Sequence, residues 1–134
     1  MLLDIASLYE VDELPGGHAI SYEDCLNAEK IQGVEVRSGD VLLLRTGMMA
    51  KAKRGDVISY GSGTAMEGSP MPGFPGVGLG AVEFFFDREI AAVATDTITF
   101  EVMPMGSKRS RGHFANSLYK FSHDGFDSRS ELGS

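Results

Sequence analysis

GDVLLLRTG, at residues 39–47, is the stretch of sequence that decides the fold. A Ser38-Gly39-Asp40 turn is followed by four consecutive apolar residues, 41–44, and then by Arg45. A continuous apolar run of this length, bounded by turn residues, is typical of a strand that is covered on both faces. We therefore predict a buried strand that ends near Arg45.

Two further elements are predicted upstream of this strand. Ser21 and Asp24 have the spacing of a helix capping box, with Asp in the usual position of Glu, and apolar residues then recur at helical intervals. Gly33 is suited to end that helix, so we predict a helix over residues 21–32. The run LLDIA, at residues 2–6, is predicted to be a core strand.

Downstream, the apolar residues at positions 79, 82, 85 and 86 recur at helical intervals, and the apolar run IAAVA follows at residues 90–94. This pattern predicts a helix that leads into a central strand. Residues 61–80 hold seven glycines and three prolines, which favours a long loop, of the kind that often has a function, over either regular element. The alternation of strands and helices predicts an α/β fold with a mixed or mainly parallel sheet and helices on its faces.

The length of 134 residues fits one domain. We place a single α/β domain at residues 1–121 and a disordered tail at residues 122–134, where Ser, Asp and Gly dominate. The single cysteine, Cys25, excludes an internal disulfide and is predicted to be a small buried apolar side chain.

The charge pattern excludes several classes of partner. A net charge of -7 argues against nucleic-acid binding, which relies on clustered Lys and Arg. The two basic clusters, KAKR at 51–54 and KRSR at 108–111, are predicted to be solvated loops. No basic leader precedes an apolar segment, and no apolar run reaches the roughly 18 residues of a membrane span. A cytoplasmic protein is expected.

Candidate site residues follow the ends of the predicted strands. In open α/β sheets, ligands bind beyond the carboxyl ends of the strands. Arg45 and Thr46 leave the first strand, Asp96 and Thr97 leave the second, and Glu101 follows. If the strands are parallel, these side chains border one crevice, which the loop at 61–80 could cover. The alternative is structural: Arg45 and Asp96 form an ion pair, and the threonines bond the loop backbone.

The histidines give no metal motif by spacing. None of His18, His113 and His123 is four residues from another, as two zinc ligands on one helical face would be. His113 and His123, together with Asp124, could ligate a metal; the alternative is that they are surface residues.

The succession of motifs resembles the cyclase family of metal-dependent hydrolases, which includes the kynurenine formamidases. The resemblance extends from residue 2 to about residue 120. It is carried by the following stretches: LLDIA at 2–6, ISYED at 20–24, GVEV at 33–36, GDVLLLRTG at 39–47, PGVG at 75–78, DREIAAV at 87–93, TDT at 95–97, Glu101, Pro104, His113 and Leu118.

The resemblance implies a swivelling β/β/α fold and a divalent metal, zinc or manganese, that activates water to hydrolyse an amide such as N-formylkynurenine. The family signature, HxGTHxDxPxH, supplies metal ligands and a catalytic histidine, and it lies upstream of the family segment that residues 2–4 match. This sequence lacks the motif, so the resemblance covers the C-terminal part of the family only. His113 matches a later metal ligand, whereas the glutamate that follows in the family has no counterpart near Gly125.

Only His113 carries over as a metal ligand, and a catalytic zinc site normally needs three protein ligands. We therefore expect that this chain alone neither binds the metal nor hydrolyses amides. Three functions remain open. The chain is a truncated or divergent family member, an enzyme subunit that another chain completes, or a scaffold that binds a small molecule near Arg45, Asp96 and His113. A homo-oligomer is expected, because the lost segment would leave apolar sheet and edge backbone exposed.

Overall fold

The structure is a computed structural model that describes residues 1–104. The strands in this part of the chain are β1 (Leu2–Asp4), β2 (Ala19–Ile20), β3 (Val41–Arg45), β4 (Thr64–Met66), β5 (Ser69–Gly73), β6 (Gly76–Val77) and β7 (Ala92–Thr95). The helices are α1 (Ile5–Leu8), α2 (Tyr22–Gln32), α3 (Met48–Lys53), α4 (Val57–Ser62) and α5 (Leu79–Asp87).

The main sheet has three parallel strands in the order β1-β3-β7. β2 and β6 form a second parallel pair, and β4 and β5 form an antiparallel hairpin. The α/β fold with parallel strands and flanking helices is thereby confirmed. The predicted domain end at residue 121 and the tail at 122–134 lie outside the described residues.

The helix predicted over residues 21–32 is confirmed as α2, and its ends are encoded locally. Ser21 accepts a hydrogen bond from the Asp24 backbone N–H at 3.1 Å, and Asp24 accepts one from the Ser21 backbone N–H at 2.9 Å. This reciprocal capping box satisfies two helix-terminal donors. Gly33 ends the helix in the left-handed conformation, with φ of 64°.

The prediction that the 41–44 strand is covered on both faces is wrong within the described residues. Leu42 and Leu44 are buried, but Val41 and Leu43 are 53% and 47% exposed. α1 and α2 pack on the face of the sheet that carries Leu3, Leu42 and Leu44. Within residues 1–104 no helix packs on the opposite face in the same way, so the apolar run reflects strand propensity more than burial on both faces.

The two strands that flank β3 also differ from the prediction. The run at 2–6 is a strand only to Asp4, because the Asp4 side chain accepts a hydrogen bond from the Ser7 N–H and starts helix α1. The helix over 79–87 is confirmed as α5, but the strand after it, β7, is the outermost strand of the main sheet within residues 1–104, where the order is β1-β3-β7. Strand order depends on which elements contact each other in the folded protein. The local sequence pattern does not predict those contacts.

The segment 61–80 is not a loop throughout, since it contains β4, β5 and β6. The glycines here permit close backbone contacts. A Cβ added to Gly76 would lie 2.6 Å from the backbone carbon of Glu101, so only glycine lets these segments approach. The prolines of β5, Pro70 and Pro72, are exposed on a strand that, among the described residues, pairs only with β4, and a missing N–H is tolerated there.

The first basic cluster is helical and not a solvated loop. Lys51 lies in α3, is only 8% exposed and pairs with Glu13 at 3.2 Å. The second cluster, at 108–111, lies outside the described residues. Cys25 is buried as predicted; burial, aided by the charges of Asp24 and Glu29, raises the pKa of its thiol to about 12, so it stays protonated at neutral pH.

The two outer edges of the main sheet differ in the partners of their backbone groups. The Gln32 side chain donates to the Leu2 carbonyl at 3.0 Å and accepts from the Asp4 N–H at 2.7 Å, which closes the edge of β1. Among residues 1–104, no strand pairs with the outer edge of β7. An open edge of this kind can pair with another chain. The homo-oligomer stays a prediction.

None of the helices between residues 1 and 104 combines the length and the apolar character that crossing a membrane requires.

Candidate functional site

The candidate site lies where β3 and β7 end. Leu44 pairs with Thr95 in parallel register, so the segments that follow both strands leave the sheet side by side. This register brings Thr46 and Asp96 into direct contact, as parallel strand ends should.

Asp96 is the most heavily hydrogen-bonded side chain of the site. Its Oδ1 accepts from the Thr46 N–H at 2.7 Å and from the Thr46 hydroxyl at 2.6 Å. Its Oδ2 accepts from the N–H groups of Gly47 and Met49, at 3.0 Å and 3.4 Å. The carboxylate thus occupies the N-terminus of α3, where the helix dipole favours negative charge. Both oxygens are committed to holding β3, β7 and α3 together.

Arg45 does not pair with Asp96, contrary to the structural alternative considered from the sequence. Its Nη1 donates to Asp4 Oδ1 at 2.8 Å instead. Burial pushes the pKa of Asp4 upward, but hydrogen bonds from Ser7 and Arg45 outweigh it and hold that pKa below its usual value. The sequence reasoning missed Asp4, although the same rule about strand ends could have found it, since Asp4 closes the parallel strand β1.

Thr97 and Glu101 lie away from this contact. The Thr97 hydroxyl is 2.9 Å from that of Thr95 and donates to the Thr99 carbonyl. Glu101 forms a parallel bridge with Val77, so its backbone belongs beside β6. The structure therefore brings Arg45, Thr46 and Asp96 to one place and puts Glu101 beside another strand.

A groove of about 470 Å³ opens next to these residues, on the exposed face of the main sheet. Its lining combines apolar side chains of the sheet with one side of α3. The lining residues are Leu2, Leu43, Leu44, Arg45, Met49, Ala50, Lys53, Ala94, Thr95 and Asp96. Thr97 and Glu101 are not among them.

Metal ligation by the described residues does not fit this geometry. Both oxygens of Asp96 already accept internal hydrogen bonds, and Asp4 Oδ1 accepts from the Ser7 N–H and pairs with Arg45. No group of three or more His, Cys, Asp or Glu side chains within residues 1–104 is placed to hold a metal ion. His113, the residue carried over as a metal ligand, lies outside the described residues, and so do His123 and Asp124. That this chain alone binds neither zinc nor manganese stays a prediction.

A second polar cluster surrounds the start of α2. Tyr9 donates its hydroxyl to Asp24 Oδ1 at 2.5 Å, and His18 Nε2 lies 3.5 Å from Asp24 Oδ2. The His18 ring also packs edge-on against Tyr9, with ring centroids 4.8 Å apart. The hydrogen bond to the Asp24 carboxylate, with burial and its negative charge, raises the pKa of Tyr9 to about 12.

The raised pKa of Tyr9 predicts a loss of stability in alkali. A group whose pKa is higher in the folded than in the unfolded protein stabilises the fold below its unfolded pKa, here 10, and this stability is lost as the pH rises towards 12. We expect Tyr9→Phe to cost about 1 kcal/mol at neutral pH and to make the alkaline loss smaller. Urea denaturation between pH 7 and 12 measures both. Tyr60→Phe, which keeps the Tyr9–Asp24 bond, should behave as wild type; an equal alkaline loss in Tyr9→Phe would contradict the assignment.

Comparisons with known proteins place this arrangement in a family. The family model described as "Putative cyclase" matches residues 1–102. Among solved structures, the crystal structure of a novel cyclase is similar to this chain, with a TM-score of 0.61 and 25% sequence identity. The match covers 77% of this chain and 31% of the other, so this chain spans about a third of that protein's length. A search of curated proteins found no match.

The matched segment includes the whole main sheet, the helices that cover one face of it and the strand ends that carry Arg45, Thr46 and Asp96. A family model that covers most of the chain and a solved structure with a similar fold agree with the motifs in the sequence. This chain belongs to the cyclase family.

Proposed function

We propose that these 134 residues form the α/β part of a metal-dependent amide hydrolase of the arylformamidase type and do not hydrolyse amides by themselves. The metal-binding segment that such a reaction needs would be on a different stretch of polypeptide. In this proposal the chain is a truncated or divergent member of the cyclase family. The residues at its strand ends hold the fold together.

The observation that carries this proposal is that both oxygens of the Asp96 carboxylate accept internal hydrogen bonds. A metal ligand or a general base needs an oxygen that can face the substrate or the ion. Both oxygens of Asp96 face inward, to donors on Thr46, Gly47 and Met49. Asp4 is engaged through Oδ1, which accepts from the Ser7 N–H and from Arg45 Nη1. The acids that end these parallel strands therefore support the architecture, and a reactive site would need groups from elsewhere.

The share of the relative that this chain matches supports the same view. The chain covers 31% of the length of the novel cyclase. A hydrolytic metal site usually draws three protein ligands, often from separate segments. The proposed role is to present a rigid sheet edge against which such a segment packs.

Metal analysis combined with an activity assay tests the proposal. The purified chain would be incubated with zinc or manganese, desalted, analysed for bound metal, and assayed with an aryl formamide. We expect substoichiometric metal and no turnover above buffer. The matched control is His113→Ala, which should give the same result as wild type. Stoichiometric metal with turnover in the wild type, both lost in His113→Ala, would show that this chain is a complete enzyme.

A complementation experiment distinguishes an inert family member from a subunit. A polypeptide that contains the HxGTHxDxPxH motif of the family would be added to the chain, with the polypeptide alone as control. Turnover that requires both components would identify this chain as an enzyme subunit. Turnover that is unchanged by the chain would leave it without a part in catalysis.

A further inference from the structure

The exposed face of the main sheet is unusual for parallel strands. Parallel sheets are found almost only where both faces are covered, because their strands are apolar throughout. Here one face carries the buried residues Leu3, Leu42 and Leu44. The other face carries Leu2 and Leu43, which are 48% and 47% exposed and adjacent in register. An apolar surface of this kind commonly marks a binding site.

The groove next to this face has the dimensions of a small-molecule site. Its volume of about 470 Å³ lies within the range of about 300–1,000 Å³ that is usual for ligand sites. Leu2, Leu43 and Ala94 form its apolar floor, and α3 forms one wall with Met49 and Ala50. Sites for small molecules typically combine such an apolar lining with a few polar groups that orient the ligand.

The charged groups of the groove favour an anion. Lys53 is exposed and makes no salt bridge or side-chain hydrogen bond within residues 1–104, and Arg45 uses only Nη1, on Asp4. The acid of the lining, Asp96, is already surrounded by four donors. Arg45 and Lys53 therefore retain N–H donors, whereas the carboxylate has little capacity left to accept more. A carboxylate complements this arrangement, and Arg in particular binds carboxylates through its planar donors.

We propose that the groove binds an amphipathic organic anion, with its carboxylate at Arg45 and Lys53 and its apolar part along Leu2, Leu43 and Ala94. Binding of this kind needs neither a metal nor hydrolysis, so it goes beyond the function proposed above and stands or falls separately. It also provides cover for the apolar face of the parallel sheet.

Calorimetric titration of the full chain with sodium decanoate tests this site, with decanol as the uncharged probe of equal chain length. We expect decanoate to bind at one site and decanol to bind at least about tenfold more weakly, because decanol lacks the charge that the two cations recognise. Lys53→Met should weaken decanoate binding about tenfold. Lys53 is exposed, so this substitution leaves the fold intact.

Arg54→Met is the matched control. Arg54 is the next residue, is also exposed and carries the same charge, but it does not line the groove. It should leave decanoate affinity unchanged. Absence of decanoate binding, equal affinity for decanol, or an equal loss in Arg54→Met would each overturn the proposal, the last because it would indicate general charge attraction.

A second copy of the chain is the competing occupant of this face, and light scattering tests it. In one outcome, the chain is a homodimer that the Leu43→Lys substitution dissociates and that decanoate does not dissociate. This result would assign the face to a partner subunit and overturn the ligand site. A dimer unaffected by Leu43→Lys would leave the groove open and support the ligand site. Association through the outer edge of β7, with which no strand of residues 1–104 pairs, would do the same. Ile58→Lys is the control, because Ile58 is 83% exposed on α4 and outside the groove.

Discussion

Gly47→Ala is expected to destabilise the protein by about 3–5 kcal/mol, because this position has both a forbidden backbone conformation and no space. Gly47 has φ of 90°, which side chains rarely tolerate. An added Cβ would lie 2.0 Å from the Asp12 carbonyl oxygen and 2.7 Å from the Glu13 Cα. The loop at 12–14 is held here by a hydrogen bond from the Leu14 N–H to the Thr46 carbonyl at 2.8 Å, so it cannot move away freely.

Gly55→Ala is the matched control for this prediction. Gly55 lies beyond the other end of α3, has an almost identical φ of 88°, and has no atom within 4 Å of an added Cβ. Gly55→Ala should lower the free energy of unfolding by about 1 kcal/mol, which is the cost of the backbone conformation alone. Urea denaturation of both variants measures the difference. Similar losses in the two would show that the contact with Asp12 does not limit the structure.

Asp96→Ala is expected to cost about 3–5 kcal/mol, because it leaves several donors without an acceptor. The donors are the N–H and hydroxyl of Thr46, which is fully buried, and the N–H groups of Gly47 and Met49. It also removes the negative charge at the N-terminus of α3. Asp96→Asn should lose less, since the amide keeps one accepting oxygen, although its NH₂ group faces other donors.

Asp87→Ala is the control for Asp96→Ala. Asp87 is exposed and accepts a single hydrogen bond, from the Tyr22 hydroxyl at 2.8 Å. Its removal should cost below about 1 kcal/mol, as is usual for exposed contacts. Chemical denaturation of the pair gives the comparison. A loss in Asp96→Ala as small as that in Asp87→Ala would show that water replaces the carboxylate, and the structural role of Asp96 would be disproved.

Local signals predicted several elements correctly because their causes are local. The capping box of Ser21 and Asp24 and the left-handed Gly33 are formed by residues within a few positions of each other. The helix at 79–87 follows from its own apolar spacing. In such segments, both partners of the stabilising contact lie within a few residues of each other, so the local sequence is enough to predict it.

The candidate site was predictable only in part. The rule that parallel strand ends meet placed Thr46 near Asp96, and the register of β3 and β7 brings them into contact. The same rule could not say that Arg45 would prefer Asp4, on the other side of β3, to Asp96. Both acids lie at the ends of strands that flank β3, Asp4 on β1 and Asp96 directly after β7, so the choice depends on strand order.

The sequence by itself determined helices α2 and α5, the strand propensity of residues 41–45 and the family, because these depend on periodicity, on local caps and on motifs in succession. The tertiary structure alone decided which strand is central, which face of the sheet stays exposed and how the carboxylates are used. Contacts such as Thr46–Asp96 and Asp4–Arg45 join residues 50 and 41 positions apart. Separations of this size are set by how the elements pack and not by any repeat along the chain.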